Sequence, residues 1–80
     1  MNIINKISEI NPKAKIVDGF DDAIIGICSR FGSEDVIAYD YNKCIEILMM
    51  DMSLEESLEY MEYNVVGSYV GEGTPVYIRK

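Results

Sequence analysis

The sequence predicts an α+β fold, with about three helices packed on a small antiparallel sheet in the order α-β-β-α-α-β. Three observations lead there. Isoleucines recur at helical spacing near the start, two apolar runs separated by a polar turn occupy the middle, and two helix-opening cap signals precede a final alternating run. Eighty residues, 49% hydrophobic and 26% charged, suit one domain spanning 1–80 around one modest core.

The first helix is read over residues 2–10. Ile3, Ile4, Ile7 and Ile10 gather on one face, with Asn5, Lys6 and Glu9 outside. Asn11-Pro12 stops it, because the residue before proline is pushed out of the α region. Ala14 to Asp18 reads as a short extended piece leading into a turn at Gly19-Phe-Asp-Asp22.

Ala23 to Phe31 carries apolar residues on both parities, as a strand covered on both faces does. A buried helix has the same pattern, although Gly26 in its middle disfavours it. Gly32-Ser-Glu-Asp35 is a turn and Val36 to Asp40 a second strand, so a β-hairpin is the economical arrangement. Asp40 then suits an N-cap, opening a helix over 41–50. Tyr41, Cys44, Ile45 and Leu48 share one face of that helix, and Ile47, Met49 and Met50 make it apolar almost all round. Such a helix needs cover on more than one side, from the domain or from a second copy in a homo-oligomer.

Ser53-Leu-Glu-Glu56 fits a capping box. The helix behind it places Leu54, Leu58, Met61 and Val65 on an apolar stripe and Glu55, Glu59 and Glu62 on an acidic one. Like charges four apart destabilise a helix slightly, so the acidic stripe does not serve helix stability. Gly67 ends the helix, and Val76 to Arg79 alternates as the last strand.

Charge narrows the function classes. The net charge is −7, and no Lys or Arg occurs between Lys43 and Arg79. Such a chain repels phosphate backbones, which argues against direct nucleic-acid binding. Gly67, Gly71 and Gly73 follow a helix instead of opening one, with Glu72 among them and no lysine near, so they read as a hinge and not a phosphate cradle. The absence of histidine removes Ser/His/Asp and Cys/His chemistry, and Cys28 and Cys44 read as reduced core residues with no zinc spacing. No catalytic residue, cofactor or dedicated metal site is expected. No apolar run is long enough to cross a bilayer or to act as a signal peptide, which points to the cytoplasm.

Two kinds of candidate site remain. Tyrosines and acids concentrate in the second half, and Glu55, Glu59, Glu62, Tyr63, Tyr69 and Glu72 are the candidates for binding a protein partner. The competing constellation is Asp21, Asp22, Asn64 and Glu72, as a small-ligand or divalent-metal module of oxygen ligands.

One resemblance bears on this choice. Asp18-Gly-Phe-Asp-Asp22 before Ile-Ile-Gly-Ile, then Tyr39-Asp40, then Glu59-Tyr-Met-Glu-Tyr-Asn64 with Gly67, Tyr69, Gly71, Glu72 and Thr74-Pro75, resembles a group of small uncharacterised proteins of tailed bacteriophages. The similarity runs over about residues 18–78 and leaves out the isoleucine-rich first helix. It implies a viral origin and expression in a bacterial cytoplasm, and it carries no biochemical role. With the charge pattern, it leads to a non-enzymatic accessory protein that binds a host or phage protein through an acidic surface, as an inhibitor or nucleic-acid mimic.

Overall fold

The structure is a computed structural model, and it describes residues 3–29, 31–32, 34–67 and 73–79. Helix α1 covers Ile3–Ile10, strands β1 and β2 cover Ile24–Cys28 and Val36–Asp40, and helix α2 covers Tyr41–Leu48. Helix α3, Leu54–Tyr60, runs on without a break into a π-helical segment, Met61–Val66, and strand β3 is Val76–Ile78. The α+β class and the α-β-β-α-α-β order therefore stand, and residues 24–28 are strand, not buried helix. The segment 14–18 carries no strand pairing.

The sheet is mixed, which corrects the expected antiparallel one. Strands β1 and β2 form the antiparallel hairpin, but β3 lies parallel to β2, pairing Ala38 with Val76, Tyr39 with Tyr77 and Asp40 with Ile78. The reason is the connection. Two helices separate β2 from β3, and that length of chain carries the backbone back to the start of β2, as parallel pairing requires.

The strand order β1-β2-β3 makes β2 the central strand, and Val36, Ile37, Ala38 and Tyr39 are all buried. The double-sided cover expected of residues 23–31 belongs to β2 instead, since β1 is an edge strand with mostly half-buried residues. Ile24 pairs with Tyr39 but Gly26 pairs with Ala38, so Ile25 is the extra residue of a bulge. The bulge puts Ile24 and Ile27, three apart, on the same face as Tyr39 and Ile37. That face carries the main core, with Ile7, Phe20, Cys44, Met61 and Val65.

Local signals fix the helix ends. The Asp40 carboxylate accepts from the Lys43 N–H at 3.2 Å, and Ser53 and Glu56 form the reciprocal capping box at 3.1 and 3.2 Å. At the end of α1 the side chain of Asn11 is buried. Its Nδ2 donates to the Asp35 carbonyl at 2.8 Å and its Oδ1 accepts from the Lys13 N–H, which ties the helix to the hairpin turn. Helix α2 is shorter than expected, because Met49 and Met50 already lie in the turn beyond it.

The buried line of the last helix is Ser57, Met61 and Val65, not the expected Leu54, Leu58, Met61 and Val65. Leu54 and Leu58 are 52% and 41% exposed. In an α-helix a spacing of four drifts by about 40° at each step. The wider π turn takes more residues per turn, so Val65 comes back into line with Ser57. Gly67 closes the turn, its N–H donating to the Glu62 carbonyl at 3.0 Å.

Candidate functional site

Between the extended segment 15–18 and the π turn lies a cleft of about 620 Å³. Its apolar walls include Phe20, Leu48, Val65, Pro75 and Tyr77, and its polar groups come from Lys15, Asp18, Tyr60 and Asn64. The volume falls within the range of small-ligand and side-chain pockets.

An aromatic cluster fixes the floor. Tyr77 stacks on Tyr39 with ring centroids 5.6 Å apart, and Phe20 meets Tyr39 edge-on at 6.3 Å. The Tyr39 hydroxyl is buried with its ring and accepts from the Val17 N–H at 2.9 Å, which holds the extended segment against β2. Burial raises the pKa of Tyr39 and pushes that of Tyr77 up to about 12, so both phenols stay neutral and the floor brings no charge. The same segment is pinned from its other end, where the Lys15 N–H donates to the Gly73 carbonyl at 2.9 Å. Gly73 is required there by contact, since a methyl group would collide with the Lys13 carbonyl.

A shallower groove of about 310 Å³ adjoins the cleft, lined by Met52, Glu56, Glu59, Tyr60, Tyr63 and Asn64. Tyr60 and Asn64 line both hollows, which makes them one continuous surface.

The sequence-predicted residues divide across this surface. Glu55 and Glu59 stand exposed on α3, and Tyr63 is 81% exposed in the π turn. Glu62 has a structural partner set: its Oε1 accepts from Arg79 Nη2 at 2.7 Å and from the Tyr41 hydroxyl at 3.1 Å. The Arg79 guanidinium lies 4.1 Å from the centre of the Tyr41 ring, and the three residues clasp α2, the π turn and the residue after β3. Burial, then the hydrogen bond to Glu62, raises the Tyr41 pKa. Among the described residues Arg79–Glu62 is the one ion pair, leaving the carboxylates of Glu55 and Glu59 without a basic partner. Tyr69 and Glu72 lie outside the described residues.

Of the competing constellation, three members fall among the described residues and Glu72 does not. Asn64 lines the cleft, whereas Asp21 and Asp22 are exposed on a single turn, Asp21–Ala23, that does not line it. Among the described residues no three His, Cys, Asp or Glu side chains converge as a metal site. Cys28 and Cys44 are both free, and burial pushes the Cys44 thiol up to about 11, which keeps it protonated and unreactive. Among the described residues no helix is long and apolar enough to cross a membrane.

Sequence reasoning missed Lys15, Phe20, Leu48 and Pro75 as site residues. They come from separate segments that only the folded chain brings together, and no local spacing signals that. Tyr77 was visible as a tyrosine among several, but its selection as the cleft floor follows from its register opposite Tyr39. Comparison with protein-family models, with curated proteins and with solved structures finds no match to this chain.

Proposed function

We propose that the protein is a non-enzymatic binding module, an accessory protein of a tailed bacteriophage working in the cytoplasm of its bacterial host. Its acidic α3 face docks a protein partner that presents basic surface. The observation that supports this reading is the run of exposed carboxylates, Glu55 and Glu59 beside the capping Glu56, which have no basic partner among the described residues, while the one described ion pair consumes Glu62. Unpaired like charges on one helix face cost stability, and they favour association with a cationic surface through complementary potential. A partner that normally handles nucleic acid offers such a surface, with the carboxylates standing where phosphates would sit.

The test is capture of a basic partner from host lysate by the wild type and by a Glu55→Lys/Glu59→Lys variant, at low and high salt. Glu62 is left unchanged, because reversing it would break the clasp with Arg79 and Tyr41. Capture that weakens with salt and disappears in the variant is the expected result. Equal capture by both proteins would remove the reading.

Self-association is a second reading, favoured by Met50 at 81% exposure and Leu54 at 52% around the corner between α2 and α3. Sedimentation over a range of concentrations decides it, a monomer throughout being the contrary result.

A further inference from the structure

We propose that the cleft is the anchor pocket for one large apolar side chain of the partner, and that the segment recognised is a basic peptide carrying a single aromatic or long aliphatic residue. This rests on the acidic-face reading and extends it to the class of sequence recognised. Continuity and charge lead to it. Tyr60 and Asn64 line both the apolar cleft and the groove that holds Glu56 and Glu59, so a chain lying in the groove passes the mouth of the cleft. An anchor residue there would be flanked by carboxylates on the α3 side, and lysine or arginine next to it in the peptide would meet them.

The pocket is suited to such an anchor. Its floor is preorganised, with Tyr77 stacked on Tyr39 and the Tyr39 hydroxyl held by the Val17 N–H, so little freedom is lost when a ring settles on it. Phe20, Leu48 and Val65 supply apolar walls, and Asn64 provides an amide that can both donate to and accept from a peptide backbone. Lys15 and Asp18 add one charge of each sign, which leaves the rim without the cation cluster that a phosphorylated ligand would need. Interfaces of this form place most of their binding energy in one buried aromatic anchor within a ring of polar contacts.

The test uses ¹⁵N-labelled protein titrated with three short synthetic peptides: alternating lysine and glycine around a central tryptophan, the same peptide with alanine for tryptophan, and the tryptophan peptide with glutamate for lysine. The expected result is that the first binds at least about tenfold more tightly than either control, a modest anchor effect. It should shift the amide signals of Val17, Phe20 and Val65 together with those of residues 56–63. Asn64→Trp, an exposed position whose new ring would fill the mouth, should erase the preference for tryptophan over alanine while the lysine dependence survives. Leu48→Phe provides a second, milder filling of the same cleft should Asn64→Trp unfold.

Equal binding of the tryptophan and alanine peptides, with shifts confined to α3, overturns the anchor pocket and leaves the acidic-face reading standing. Equal binding of the lysine and glutamate peptides overturns the acidic face. Free indole that shifts the same cleft signals and binds as tightly as the lysine–tryptophan peptide makes the cleft a small-molecule site and overturns the peptide assignment. No binding by any peptide overturns both.

Discussion

Gly67→Ala separates two reasons for a glycine at that position. Its backbone, φ −73° and ψ −6°, is open to every residue, so conformational freedom alone does not demand glycine there. On that ground alanine should stabilise the fold by about 0.4–1 kcal/mol, through the reduced entropy of the unfolded chain. A Cβ at this site, however, would stand 2.6 Å from the Glu62 carbonyl oxygen. Reaching ordinary contact requires opening by about 0.8 Å, and the oxygen that must move is the one accepting the Gly67 N–H at 3.0 Å. Losing that bond costs about 0.5–1.5 kcal/mol, and strain in the displaced turn adds about 1 kcal/mol. The net expectation is a destabilisation of about 1–2 kcal/mol, or a fall in Tm of about 5–15 °C for a domain of this size. Urea and thermal unfolding followed by circular dichroism measure it. Gly26→Ala is the control, because a Cβ there meets nothing within 4 Å. A Gly67→Ala protein as stable as wild type, or more so, would refute the claim that the π turn is what requires glycine.

Other perturbations test other parts of the fold. Ser57→Ala should stabilise the protein by about 1 kcal/mol in the same urea assay, since Ser57 Oγ is buried with no hydrogen-bond partner among the described residues and alanine is the better helix former; a loss of stability would mean the hydroxyl is satisfied. Asn11→Ala should cost about 1–3 kcal/mol, because it strips a partner from the Asp35 carbonyl and leaves the end of α1 untied; a near-neutral result contradicts that anchoring role. Alkaline stability should decline from about pH 9 upward. Cys44 is raised from the ordinary 9.0 to about 11 and Tyr77 from 10.0 to about 12, so the unfolded chain releases those protons first and stability is lost as pH rises through these windows. Unfolding midpoints measured between pH 8 and 12 follow it, and a flat profile would contradict the burial of both groups.

What the sequence disclosed and what it withheld follow from the range of the interactions involved. Asp40, Ser53 and Glu56 act within one helical turn, and their roles were legible as written. The hairpin was legible for the same reason, being closed by a short polar turn. The direction of β3 was not, because it depends on how two intervening helices return the chain. Leu54 and Leu58 misled because α-helical spacing was assumed past Tyr60, where the backbone widens into the π turn. Glu55, Glu59 and Glu62 look equivalent along the chain, and the reach of Arg79 from beyond β3 and of Tyr41 from α2 distinguishes Glu62 from the other two. The cleft was hidden altogether, since its walls come from segments scattered between Lys15 and Tyr77.

The parallel placement of β3 bears on synthesis as well as structure. During translation the hairpin and both later helices emerge before Val76–Ile78, so β2 has one unsatisfied side until those residues are made. A nascent chain in that condition presents bare backbone donors and acceptors beside the hydrophobic run Val36–Tyr39, an invitation to pair with a neighbour. The last strand acts as a latch whose arrival decides between folding and aggregation, and pauses or truncations shortly before residue 76 should yield insoluble product where shorter fragments, ending before β2, do not.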